Sequence, residues 1–347
     1  MTRLSICIAT FNRAAFLGQT LASILPQLTD QVELVVADGA STDETPAVVA
    51  RYFQGRPDCR YLRLAQKGGV DRDYCLALAE ARGDYCWLMT DDDLLLPGAV
   101  AAVLHHLADQ PQLLVVNAQV AGPDLAETLL PRKLRLESDR DFAPPQQAQL
   151  LALAGDLLTF IGAVVIRRAL WESRPVQPYL GTAFVHVGVI FQAPLPGTAR
   201  VLARPLIRIR YGNAMWSPRA FEVWMFRWPE LIWSFAHLPD SAKAAVCPRE
   251  PWRRTGALLR MKARGAYTFA QYRAHLAGRP MGWVTRLRVR AIAAIPDTLA
   301  NATLSLLLAI LRPGARGTRL ELRQSPFDFR RRWFTRRSAS GPSANTG

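Results

Sequence analysis

The chain has 347 residues, half of them hydrophobic and a fifth charged, with 43 Lys/Arg against 28 Asp/Glu. That composition is too apolar for a disordered chain, and the length suits one large α/β domain with an appendage, or two modest domains. Residues 1–100 carry nine basic and thirteen acidic side chains, so the whole positive excess lies beyond residue 100, where nucleic-acid phosphate or an anionic membrane surface would be its partner.

The first hundred residues alternate strand and helix. Residues 4–9 form a short apolar run that reads as a buried strand, followed by Asn12, Arg13 and a helical pattern with Phe16, Leu17, Leu21, Ile24 and Leu25 on one face, ended by Pro26. A second strand over 32–37 stops at Asp38-Gly39. Ser41-Thr42-Asp43 then caps a helix that tolerates Pro46 in its first turn. Residues 60–64 make a third strand, Lys67-Gly68-Gly69 a loop, and 71–81 a helix stopped by Gly83. A fourth strand, 85–89, runs into Thr90-Asp91-Asp92-Asp93; Pro97 opens a helix through Leu107, and 113–118 is a further strand.

Such alternation predicts parallel strands with helices on both faces, and in such sheets ligands sit beyond the carboxyl ends of the strands. Those ends carry Thr10-Phe11-Asn12-Arg13, Asp38-Gly39, Lys67-Gly68-Gly69 and the aspartate triplet, so polar residues recur at the one edge where a ligand would sit.

Further on, 120–150 reads as a surface excursion, 160–166 as a strand, 167–172 as a helix, and 184–191 as an apolar segment around His186 and Gly188. Residues 201–209 read as a strand ending at Arg210-Tyr211-Gly212-Asn213. Residues 221–237 are rich in aromatics, and 250–311 read as helices with arginine on one face. The expected organisation is a domain over 1–215 (a nucleotide part over 1–118, an acceptor part over 119–215), a helical extension over 216–311, and a basic, partly disordered tail over 312–347.

Cys7, Cys59, Cys75, Cys86 and Cys247 contain no C-x-x-C pair and are odd in number. They read as reduced thiols of a cytosolic protein, not a disulfide frame or zinc site. The N-terminus shows no signal-peptide pattern. No clean run of about 18–20 apolar residues supports a membrane span; the nearest, 291–311, is interrupted by Pro296, Asp297 and Asn301.

Three consecutive carboxylates at 91–93 repel one another, and burying them without a cation is costly. A hard ion such as Mg²⁺ or Mn²⁺ removes that cost and bridges to diphosphate oxygens; the plainer reading is an acidic turn capping the helix near Pro97. Asp38 suits hydrogen bonds from a nucleobase or ribose, or is a turn aspartate. Asn12 and Arg13 contact base or phosphate, or cap the helix after them. Arg72, between Asp71 and Asp73, meets phosphate or makes ordinary ion pairs. His186 is a general base, a metal ligand or a core histidine. Arg210, Asn213, Trp216 and Arg219 form a patch suited to sugar or phosphate, or a surface loop.

These segments resemble a known family. Ser5-Ile-Cys-Ile-Ala-Thr10-Phe11-Asn12-Arg13 resembles the opening strand of family-2 glycosyltransferases with the GT-A fold. Val35-Val36-Ala37-Asp38-Gly39-Ala40-Ser41-Thr42-Asp43 resembles their second-strand motif, with Ala40 inserted before the usual serine. The segment from Gly83 through Asp93 resembles their metal-binding segment, and the one from Ile161 to Arg168 is similar to the acceptor-side strand. Gly-Gly-Val-Asp-Arg-Asp-Tyr-Cys, from Gly68 to Cys75, resembles the abequosyltransferase-type subgroup of bacterial surface polysaccharide synthesis. The resemblance covers about residues 1–215.

It implies a metal-dependent enzyme that takes a sugar from a nucleotide-sugar donor to a glycan or lipid-linked glycan acceptor. Asp38 would bind the nucleoside with Thr10, Asn12, Arg13 and Gly39 beside it, Asp71 and Arg72 would assist, and Asp91 would meet ribose or metal. Asp92 would be the principal metal ligand, with Asp93 behind it. Members of the family place a Glu-Asp pair on the acceptor-side helix, and its aspartate is their usual base. Here the matching segment, 183–188, has no carboxylate: His186 takes that role, the base comes from elsewhere, or catalysis is impaired. The arginine-tryptophan signature of processive synthases is not evident, which implies single addition.

Two rivals remain at this level. A nucleotidyltransferase needs a Gly-rich phosphate loop with a lysine near the N-terminus, and Lys67-Gly68-Gly69 lies in the wrong place. A nucleic-acid binder would carry a zinc, helix-turn-helix or RNA-binding signature, and none accompanies the charge. Residues 283–311 mix arginine with apolar side chains as interfacial helices do, and the 330–337 cluster adds positive charge. Peripheral binding at the inner face of the cell membrane is the expectation, with no nucleic-acid partner.

Overall fold

Seven-residue strands β1 (Leu4–Thr10) and β2 (Val32–Asp38) are buried along their whole length, as is β4 (Tyr85–Met89). Full burial is the signature of strands covered on both faces. A computed structural model describes residues 2–213, 219–312 and 314–330. The remaining strands are β3 (Cys59–Arg63), β5 (Leu94–Leu95), β6 (Leu113–Ala121), β7 (Thr128–Leu130), β8 (Arg140–Phe142), β9 (Val164–Arg167) and β10 (Ala199–Arg210). They form one sheet in the order β3-β2-β1-β4-β9-β6-β10-β5, with β7 beside β6 and β8 beside β10.

The half that holds β3, β2, β1 and β4 is parallel, as the alternation predicts. β9 then enters antiparallel to both β4 and β6, and β10 runs parallel to β6. The result is a mixed α/β sheet. The excursion at 120–150 is partly built into it, because β7 and β8 add antiparallel ladders and α5 (Gln147–Ala154) follows.

Helices α1 (Ala14–Ile24) and α4 (Ala99–His106) cover one face. Leu17, Leu21, Ile24, Val100 and Val103 share a core with Leu4, Ile6, Ile8, Leu34, Val36, Trp87 and Met89. Helix α3 (Val70–Ala79) packs on β1 and β2 from the other side, where the Cys7 thiol lies 3.7 Å from the Ala77 carbonyl. Between them in sequence, α2 (Thr45–Phe53) packs against α1. Short helices α6 (Arg168–Glu172) and α7 (Val185–Phe191) follow β9.

Two compact units divide the chain. The first runs to Tyr211 and resumes over Glu230–Pro248; the second takes Gly212–Pro229 and the residues from Arg249 onward. The later helices are α8 (Ala220–Glu222), α9 (Trp228–Ser234), α10 (Asp240–Val246), α11 (Thr255–Ala263), α12 (Phe269–His275), α13 (Trp283–Ala294), α14 (Asp297–Leu311) and α15 (Arg316–Gln324). The second unit has its own aromatic core: Phe221 stacks on Tyr267 at 4.7 Å between ring centres, among Trp252, Leu258, Met261 and Val289. Trp216 and the 331–337 part of the basic cluster lie outside the described residues.

Candidate active site at the strand tips

Strand register brings the predicted edge together. Thr10 pairs with Asp38 across β1 and β2, and Ile8 pairs with Met89 across β1 and β4. Thr10 and Asp91 each follow two residues after that pair. Asp38, Thr10 and Asp91 therefore end three adjacent strands at one edge.

Arg13, at the start of α1, reaches into this edge. Its Nε donates to Asp91 Oδ1 at 3.1 Å, and its Nη2 donates to Asp92. All three side chains are buried, so one guanidinium bridges two carboxylates in a poorly hydrated place and offsets only one of their two charges. Burial and the neighbouring Asp92 still raise Asp91 to about 6, against the lowering effect of Arg13.

Asp93 is spoken for by the fold. It accepts from the Thr90 hydroxyl and from the Arg210 backbone N–H, the latter at 2.6 Å. Burial and Asp92 push it well above the carboxylate range. The triplet thus divides: Asp91 and Asp92 share Arg13, while Asp93 fastens β10 to the loop. Arg210 continues that fastening, with Nε on the Asp92 carbonyl at 2.9 Å and Nη1 on the Pro123 carbonyl at 2.7 Å. The Phe16 ring lies 4.8 Å from the Arg13 guanidinium and 5.1 Å from that of Arg210. Asn213 and Arg219, grouped with Arg210 by the sequence, belong to the second unit.

Several predicted contacts are committed to structure. Asn12, in the left-handed region at φ 54°, accepts from the Thr42 N–H at 2.8 Å and so holds the loop after β2. Asp38 is fully buried and accepts from the Ser41 N–H at 2.8 Å and the Tyr61 hydroxyl at 2.5 Å. Asp71 is committed more heavily still. Its carboxylate accepts from the backbone N–H groups of Gly181 at 2.8 Å, Ala183 at 2.9 Å and Val185 at 3.3 Å. Ala183, like Gly181, sits at positive φ, so Asp71 anchors a strained turn just before α7. Arg72, by contrast, is exposed beside Gly68.

His186 is enclosed by its neighbours. It lies on α7, buried, and its Nε2–H donates to the Leu158 carbonyl at 2.8 Å. Burial pushes its pKa down to about 4. A ring closed off from solvent and hard to protonate suits a core histidine better than a base poised near neutrality.

Asp73 is the residue that the sequence reading left unassigned. It is 3% exposed, and its Oδ1 has no hydrogen-bond partner among the described residues. A Cβ on Gly39 would lie 2.6 Å from Oδ2, and one on Gly68 would lie 3.1 Å from Oδ1. Burial, then Asp38, raises the carboxyl to about 6, while Lys67 opposes the shift. Lys67 itself stands 3.7 Å over the Phe11 ring. The signal available in the sequence was the pair of glycines at adjacent strand tips, which marks close approach of another group.

Residues 5–172 match the family model for glycosyl transferase family 2. That stretch, which contains every strand tip described above except the end of β10, belongs to the family. Over 224 residues the chain is 25% identical to abequosyltransferase RfbV of Salmonella typhimurium, covering 60% of this chain and 67% of that one. It is 31% identical over 105 residues to GalNAc(5)-diNAcBac-PP-undecaprenol beta-1,3-glucosyltransferase of Campylobacter jejuni, 30% of this chain and 34% of that enzyme. Among solved structures, the mannosyltransferase PcManGT from Pyrobaculum calidifontis, in complex with GDP-Man and Mn²⁺, superposes with a TM-score of 0.53 at 19% identity, over 94% of this chain and 86% of that one. The chain has the GT-A fold and is a glycosyltransferase.

Proposed function

We propose that the chain moves a sugar, with inversion, from a nucleoside-diphosphate donor to a hydroxyl on a lipid-linked glycan in bacterial surface polysaccharide synthesis. The observation that carries this reading is the convergence of Asp38, Thr10, Asp91 and Asp92 at one sheet edge, with Arg13 between the last two. The names of the Salmonella and Campylobacter relatives support the acceptor class and a hexosyl or deoxyhexosyl donor. An acceptor of that kind accords with a chain that works at the inner face of the cell membrane.

Among the described residues no three His, Cys, Asp or Glu side chains converge on one point. Two buried carboxylates that share one cationic partner nonetheless suit a hard divalent ion whose remaining ligands come from a diphosphate. Asp91 and Asp92 would hold Mg²⁺ or Mn²⁺, which supplies positive charge to the departing nucleoside diphosphate. In this proposal Asp38 and Gly39 shape the nucleoside end, Thr10 and Arg13 line the edge, and exposed Arg72 meets phosphate. Asn12 and Asp71 hold the loops around them.

A screen of nucleotide sugars, with and without Mn²⁺ or Mg²⁺, tests the proposal through released nucleoside diphosphate. Release with one donor, dependent on metal and accelerated by acceptor, is the expected result. Pyrophosphate as product would instead assign a nucleotidyltransferase.

A further inference from the structure

The second unit exposes large apolar side chains in a way that its packing does not use. Helix α14 puts Ala300 and Asn301 into the interior, and Leu304 and Leu308 pack beside them. Its other side shows Leu299 at 58% exposure, Leu306 at 62% and Ile310 at 67%, and Leu311, at the C-terminal end, is 71% exposed. At 100° per residue Leu299, Leu306 and Ile310 fall on one stripe. After Asp297 the helix carries no charged residue. The solvent side of an ordinary surface helix is polar; this one is apolar on both sides.

A second exposed apolar group lies at the start of α13, where Trp283 is 78% exposed, Val284 59% and Leu287 62%. The stretch of chain that carries these surfaces is strongly basic. Residues 283–323 contain seven arginines and two acidic residues, Asp297 and Glu321. Both acidic groups are paired internally, Asp297 with Lys262 at 2.8 Å and Glu321 with Arg264 at 3.1 Å.

We propose that the apolar stripe of α14, flanked by these arginines, docks into the headgroup region of an anionic lipid bilayer and lies along it. Three observations select that occupant. Arginines beside exposed leucines, with a tryptophan nearby, match the interface, where apolar burial and attraction to anionic lipid add. At 15 residues α14 is about 22 Å long, short of the roughly 30 Å hydrocarbon core. The α13–α14 pair is apolar enough in combination but bent by 95°, which suits a segment on the surface and not a straight span. The inference rests on the lipid-linked acceptor only for its purpose; binding itself needs neither donor nor acceptor.

The test is co-sedimentation of the full chain with vesicles of 3:7 phosphatidylglycerol and phosphatidylcholine, against phosphatidylcholine alone, without nucleotide sugar. The expected result is binding to the anionic vesicles, with partitioning lowered at least about tenfold by the double substitution L306E/I310E. L306F/I310F should keep it, and Leu259→Glu, at a singly exposed position of α11, should leave it unchanged. The proposal is overturned if the chain ignores both vesicles. Equal binding by L306E/I310E overturns it as well, because charge alone would then hold the protein. So does a chain that ignores vesicles but self-associates until L306E/I310E makes it monomeric, since a second copy would be the occupant. Donor turnover on a water-soluble acceptor reads the transferase proposal separately.

Discussion

Arg13 Nε stands 3.1 Å from Asp91 Oδ1, and the same guanidinium spans to Asp92, so a single side chain bridges the two carboxylates most suited to a cation. Removing one member of a buried ion pair strands the remaining charge, at a cost of about 3 kcal/mol. Arg13→Gln should therefore lower the unfolding temperature in metal-free buffer. It also removes a competitor for the carboxylates. Mn²⁺ should raise the melting temperature of Arg13→Gln more than that of the wild type, measured by calorimetry with and without the ion. Equal shifts would mean that the ion does not bind where the guanidinium lies.

Asp92→Asn keeps the shape of the side chain and its place beside Arg13 while removing its charge. If Asp92 holds the cation against the diphosphate, nucleoside diphosphate release should fall by roughly 100-fold or more, with circular dichroism unchanged. Full activity in this variant would take the metal role away from Asp92.

Asp73 and Gly39 are coupled by geometry. A methyl group at 39 would lie 2.6 Å from the Asp73 carboxylate, so Gly39→Ala should cost about 1–3 kcal/mol. Most of that should vanish on an Asp73→Ala background, a non-additivity that a double-mutant cycle measures.

The pH dependence of Asp73 has a definite sign. Its folded-state pKa is raised to about 6 by burial and by Asp38. The folded chain therefore holds this proton over the window from about 4, the ordinary carboxyl value, up to about 6, and stability falls as pH rises through it. Asp73→Asn should be more stable than wild type at neutral pH, by about 2 kcal/mol or less. That advantage should be gone at the acid end of the window, as urea unfolding at several pH values would show.

The parallel half of the fold is legible because β1, β2 and β4 are largely apolar runs that each stop at polar residues, Thr10, Asp38 and Thr90-Asp91. β9 is legible as a strand but not as an antiparallel one, since Val164–Arg167 is a short apolar run that reads alike in either direction. Strands β7 and β8 have three residues each, too few for alternation to stand out from a loop. At the site, sequence locates carboxylates but not their partners. Asp71 spends its oxygens on backbone N–H groups more than a hundred residues away, and backbone donors leave no mark on side-chain identity. Asp93 and Arg210 meet across a similar separation. The exposure of α14 was half visible: its apolar content shows in the sequence, while the face left unpacked emerges only once Asn301 is seen donating to the Ala263 and Leu322 carbonyls.

His186 yields the last prediction. Its pKa is pushed down to about 4 by burial, below the ordinary histidine value of about 6.5. The unfolded chain binds the proton more readily over that interval, so this residue makes stability fall as pH drops through it. His186→Gln should flatten that part of the stability profile, and the amide can still donate to Leu158. The same variant should keep whatever limb the wild-type pH–rate profile shows near neutrality, because a ring whose Nε2–H is committed to a carbonyl 2.8 Å away does not titrate there. A limb that disappeared in His186→Gln, with folding intact, would return the histidine to the role of proton acceptor and require α7 to open during turnover.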